Sequence, residues 1–116
     1  MALTELEAAR VRRALNAFLE HRRPPPHIRT QLDLGFRISG QSVEIFEIRP
    51  VWRGKPGEKL EHGVAKATFV RSRGVWRVFW LRQDLKWHGY EPAAEVGSIE
   101  AFCKVVHEDA YCCFFG

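Results

Sequence analysis

No stretch of this sequence approaches the roughly 18–20 consecutive apolar residues that cross a bilayer as a helix, which excludes a helical membrane span and a membrane partner. The first residues, MALTELEAARVRRALNAF, lack the basic start and apolar stretch of a secretory signal. The expected location is therefore cytoplasmic. Cysteine is scarce: there are three, two of them adjacent at Cys112 and Cys113. An odd count with that spacing is no disulfide framework, and a reducing compartment keeps such thiols free. There is no CxxC pair, phosphate-binding glycine loop, dinucleotide fingerprint or Ser/His/Asp order. Charge of one sign is also in short supply. Lys and Arg outnumber Asp and Glu by 18 to 14, a net +4, which falls short of the dense basic stripe of a dedicated nucleic-acid binder.

What is present is enough for one core. A length of 116 residues with 46% hydrophobic side chains and four Trp fits a single folded α+β domain over 1–116. Thr4-Glu5-Leu6-Glu7 has the form of a capping box. Behind it Ala8, Val11, Leu15, Phe18 and Leu19 recur at helical spacing, which predicts a helix from about Glu5 to Arg22. Pro24, Pro25 and Pro26 stop it, because proline lacks the amide hydrogen that a helix needs.

From Thr30 the period becomes two. Leu32, Leu34, Phe36 and Ile38 alternate with polar or small residues as a half-buried strand. Gly40-Gln41 turns the chain into a return strand, Val43 to Trp52, apolar on both faces and therefore central, with a bulge expected near Phe46. Arg53 to Gly63 reads as a long polar loop. Strands follow at Val64–Arg71 and Val75–Arg82, with a fifth at Leu85–Tyr90 after a turn at Gln83-Asp84. Ser98 is a candidate N-cap, and Ile99, Phe102, Cys103 and Val106 form the core stripe of a second helix ending near Asp109. The tail Tyr111 to Gly116 is too apolar to hang in water and should dock on the body or on a partner. The expected fold is a helix, a four- or five-stranded antiparallel meander and a helix, with both helices on one face.

The segments HRRPPPHIR (21–29), LDLGFRI (32–38), FEIRPVW (46–52), VAKATFV (64–70) and WRVFWLRQDLKWHGYEP (76–92) resemble a family of short bacterial proteins known only as a domain of unknown function. The resemblance runs nearly end to end. It implies a bacterial, stand-alone, intracellular protein, and transfers no activity, cofactor or catalytic residue.

The chemistry must therefore come from the residues. The strongest cluster is Trp76 to Arg82, continued by Lys86, Trp87 and His88. Alternation places Trp76, Trp80 and Arg82 on one face and Arg77, Phe79 and Leu81 on the other. Exposed rings beside cations bind single-stranded nucleic acid by stacking and phosphate contact. The competing reading is that these rings are core. A second basic cluster, His21, Arg22, Arg23, His27 and Arg29, surrounds the prolines and equally suits a helix C-terminus.

Three further constellations compete. Asp33 and Glu47, with Arg49 and Lys66, lie on strands expected to be neighbours and offer acids and cations for a metal-dependent hydrolase. Cys103 and His107, spaced i and i+4 on the second helix, with Cys112 and Cys113 beyond, offer soft ligands for zinc. Phe114 and Phe115, with the fourth and fifth strands, offer an apolar surface for self-association. The expectation is a binding module rather than an enzyme, without catalytic residue, cofactor or metal. Its partner is nucleic acid or an acidic protein surface, with a homodimer as the alternative. Arg77, Arg82, Lys86, Trp87 and His88 carry it, and Arg22, Arg23 and Arg29 add charge.

Overall fold

The structure is a computed structural model and describes residues 2–51, 54, 55 and 57–115. Helix α1 (Glu5–Arg22) starts at the capping box: Thr4 Oγ1 accepts from the Glu7 amide at 3.1 Å, and the Thr4 amide donates to Glu7 Oε1 at 2.8 Å. Six strands follow: β1 (Asp33–Ser39), β2 (Ser42–Pro50), β3 (Lys59–Val70), β4 (Val75–Leu81), β5 (Trp87–Gly89) and β6 (Glu95–Val96). Helix α2 (Ile99–Glu108) closes the order. The antiparallel sheet runs β1-β2-β3-β4-β5 as a meander, and β6 pairs with the start of β4 beside β5.

Both helices cover one face. Val11, Leu15 and Phe18 of α1 and Ile99, Phe102, Cys103 and Val106 of α2 share a buried cluster with the inward sheet residues. Three cross-strand rows make that inner face: Ile38-Val43-Ala67-Val78, Phe36-Ile45-Ala65-Trp80-His88 and Phe69-Trp76-Val96. Ala65 and Ala67 are fully buried, and their small side chains let the helices approach the middle of the sheet. Burying each larger aliphatic or aromatic side chain of this set contributes about 1.5–3 kcal/mol. Ion pairs at the periphery join the layers: Arg10 to Glu100 links α1 with α2, and Arg71 to Glu7 links the turn after β3 with the first turn of α1.

Two expectations need correction. The chain from Lys59 to Gly63 is strand, not loop, because the end of β2 supplies it with a partner down to Pro50↔Lys59. Leu60, Glu61 and His62 carry no apolar alternation because they are exposed. The fifth strand is shorter than expected, since Leu85 takes a left-handed φ of 62° within the turn and pairing begins only at Trp87. The bulge near Phe46 is present: the register shifts between Ile45 and Phe46, and the additional residue is Val64 on β3. The expected strand end at Trp52 and loop start at Arg53 lie outside the described residues, as does Gly116 at the end of the tail.

The tail docks on the body. Asp109 caps α2 at φ 43°, and its carboxylate accepts from the Phe114 and Phe115 amides, each at 3.0 Å. This turns Phe114 inward against Tyr90, with ring centroids 4.8 Å apart. The rings expected to drive self-association are thus used within the chain: Phe114 is buried, and Phe115 lies under the Arg22 guanidinium, 4.1 Å from its ring centroid.

Candidate binding surface

The face of the sheet away from the helices is organised by the same register. One row crosses five strands: Arg37, Glu44, Lys66, Phe79 and Gly89. A polar row beside it holds Ser39, Ser42, Thr68, Arg77 and Glu95. On the other side Phe46 pairs with both Gly35 and Gly63, while Leu81 pairs with Trp87. No helix covers these rows, so strand alternation leaves half-exposed rings among cations.

The rings lie down on glycines. A Cβ built at Gly35 would meet Phe46 Cε2 at 3.0 Å, and one at Gly63 would meet Trp87 Cζ2 at 2.8 Å. Glycine is what allows a large ring to rest flat against the strand beside it. Phe46 is further closed by Arg37, whose guanidinium sits 4.4 Å from the ring centroid and pairs with Glu61. Phe79 and Trp87 stay half-exposed.

Cations flank those two rings. The Lys66 ammonium lies 5.8 Å from the Phe79 centroid and 6.0 Å from that of Trp87. Arg77 lies 5.3 Å from the Phe79 centroid on the other side. Among the described residues neither cation forms an ion pair: Glu95, across from Arg77, is taken by Arg73, and Glu44, across from Lys66, is beyond ion-pair distance. A shallow concavity of about 330 Å³ opens beside Arg77 and Phe79, between β5 and β6.

The structure does not bring the eight candidate residues together on one surface. Arg77 and Trp87 lie on this outer face, and Lys86 is exposed in the turn leading to it. Arg82 and His88 border a different cleft with Trp80, on the side of the inner rows, because His88 pairs with Trp80. Arg22, Arg23 and Arg29 fasten the end of α1. Arg22 donates to the His107 carbonyl at 3.4 Å, Arg23 makes a two-pronged pair with Asp33 at 2.6 and 2.8 Å, and Arg29 donates to the Pro24 carbonyl at 2.8 Å. The Arg23 hydrogen bonds hold the Asp33 carboxyl below the usual range, helped by the Leu34 amide. Trp76 is core.

The other constellations come apart. Asp33 pairs with Ile48 and Glu47 with Leu34, so alternation sends the two acids to opposite faces and they cannot share a metal. Each is also engaged, Asp33 by Arg23 and Glu47 by Arg49. Cys103 sits in the core stripe, where burial pushes its thiol up to about 12. Among the described residues no three His, Cys, Asp or Glu side chains converge in a metal-binding group.

The list expected from the sequence omitted Phe79, whose strand neighbours it included, and it placed Lys66 only in the acid cluster. The signal that brings them together is register: Lys66 and Phe79 are cross-strand partners, as are Arg37 and Glu44.

No helix among the described residues is long and apolar enough to cross a membrane. No curated protein and no solved structure matches the chain. A family model described as Domain of unknown function (DUF3024) matches residues 3–116. With that match running from α1 through the docked tail, the chain belongs to the DUF3024 family.

Proposed function

We propose that the outer sheet face is a binding platform for single-stranded nucleic acid. The observation that carries this reading is the setting of Phe79, a half-exposed ring on an uncovered sheet face, flanked by Lys66 and Arg77, neither of which is paired with a carboxylate among the described residues. A base has a flat face to stack on Phe79, and stacking contributes about 1–3 kcal/mol per base. Trp87, seated on Gly63, offers a second ring. Lys66 and Arg77 stand where a backbone passing over those rings presents its phosphates. Neither cation needs to break a pair to bind.

The reading has a quantitative consequence. Two phosphates neutralised on a single strand give a salt slope of about −1.4, so raising salt from about 50 to about 200 mM weakens binding roughly 7-fold. The test is a titration of labelled oligouridine and oligothymidine against the wild-type protein at both salt concentrations, and against Phe79→Ala and Lys66→Ala. The expected result is steep salt dependence, with the larger loss at low salt for Phe79→Ala. Binding that depends on Lys66 but is indifferent to Phe79 is charge attraction without stacking and contradicts the platform. Absence of binding at low salt ends the proposal.

A further inference from the structure

The β4–β5 hairpin carries a second concave surface, separate from the outer face. It is a cleft of about 510 Å³ bordered by Trp80, Arg82, His88, Tyr90, Pro92 and Cys113. A second hollow of about 490 Å³ shares Trp80 and Arg82 as a wall and is closed by Gln83 and Asp84. The larger volume lies within the roughly 300–1,000 Å³ typical of small-molecule sites.

Three features define what this cleft is built to hold. Trp80 belongs to the inner row of the sheet yet is only half-buried, whereas Trp76, four residues earlier on the same strand and face, is in the core. Part of the indole therefore remains exposed along the cleft. Arg82 lies over that indole, 5.4 Å from its centroid, and has no ion pair among the described residues. The nearby Asp84 lies within electrostatic reach of Arg82 but directs its hydrogen bonds elsewhere: Asp84 Oδ2 accepts from His88 Nε2 at 2.8 Å and Asp84 Oδ1 from the Lys86 amide at 3.0 Å. The floor is rigid, because Tyr90 is buried against Phe114 and its amide donates to the Val78 carbonyl at 2.9 Å.

We propose that this cleft binds a nucleoside monophosphate, its base against Trp80 and its phosphate on the Arg82 fork. A half-exposed indole with a guanidinium over it that forms no ion pair among the described residues matches a flat ring carrying one anionic group, and a guanidinium recognises phosphate through paired N–H donors. The exposed carboxylate of Glu91 borders the same cleft and disfavours additional negative charge, so a monophosphate fits better than a triphosphate. The site does not rest on the outer-face reading, because Phe79 and Trp80 are consecutive strand residues and point to opposite sides.

The test uses the full chain and AMP, adenosine, inorganic phosphate and ATP as probes, followed through the Trp80 indole signal by nuclear magnetic resonance. AMP should saturate that signal, and each of the other three should bind at least about tenfold more weakly. Losing one charge-assisted hydrogen-bond partner typically costs that factor or more. Arg82→Ala should weaken AMP by about the same factor, Trp80→Phe, followed through the Tyr90 backbone amide instead, should retain binding, and Phe79→Ala should leave it unchanged. Folding of each variant is read from the dispersion of the same spectra. No saturation by AMP, equal binding of phosphate or ATP, or indifference to Arg82→Ala in a folded variant overturns the proposal. Loss of AMP binding in Phe79→Ala also overturns it, since the ligand then occupies the outer face.

Discussion

Gly63 and Trp87 form a seat and its ring: the bulged β3 strand bares its backbone where the β5 indole crosses, and a methyl group at position 63 would lie 2.8 Å from Trp87 Cζ2. The indole edge is free to swing, so Gly63→Ala should displace the ring rather than unfold the sheet. Alanine in a strand gains about 0.5–1 kcal/mol over glycine, which offsets the lost ring contact. Global stability should thus change by less than about 1 kcal/mol. The indole resonance of Trp87 should move while those of Trp76 and Trp80 stay in place, and oligonucleotide affinity should fall. Unmoved Trp87 signals contradict the seating.

Phe102 is fully buried where α2 meets the sheet. Phe102→Ala leaves a cavity at the centre of the cluster joining both helices, and should cost about 3–5 kcal/mol. Denaturant unfolding measures this directly. A loss below about 1 kcal/mol would mean that the core closes over the gap and is packed otherwise than described.

Asp33 makes stability fall in acid. Its folded carboxyl is held below the usual range by Arg23, with the Leu34 amide and the Arg29 charge acting in the same direction. A carboxyl depressed in the folded state contributes fully above its unfolded pKa of about 3.9, and loses that contribution as pH falls through the folded value. The acid limb of the stability profile should be shallower in Asp33→Asn and in Arg23→Ala, with both variants approaching wild type at the acid end. Unchanged slopes in both would remove this pair from the account.

The start of α2 depends on one hydroxyl. Ser98 Oγ accepts from the Ala101 amide at 3.1 Å. Ser98→Ala should cost about 1 kcal/mol, and Ser98→Gly only a few tenths. Thermal unfolding of the two variants separates a capping role from simple loss of volume.

The elements that announce themselves by local pattern were legible in the sequence. The Thr4/Glu7 capping box and the Ile99-Phe102-Cys103-Val106 stripe depend only on neighbours a turn away. Lys59 to Gly63 was not legible as strand, because its exposed residues carry no apolar period and its pairing comes from Ile48 to Pro50 on another strand. The candidate binding residues were legible in type, and strand alternation alone separated Arg77 from Arg82. Arg77, Arg82, Trp87 and His88 are close in sequence, yet the pleat divides them between two sides of the sheet. Arg22 and Arg23 look like free charge until Phe115 and Asp33 arrive from distant parts of the chain. The Lys66 and Phe79 pairing requires the β3–β4 register, which no local pattern encodes.

The central claim is that single-stranded nucleic acid lies across the uncovered sheet face. Backbone chemical-shift mapping during an oligouridine titration at low salt tests it most directly. The account predicts that the largest changes fall on Lys66, Arg77, Phe79 and Trp87, while Val11, Leu15 and Phe102 under the helices stay still. Changes centred on Arg22, Arg23 and Arg29, or spread evenly over both faces, would contradict it.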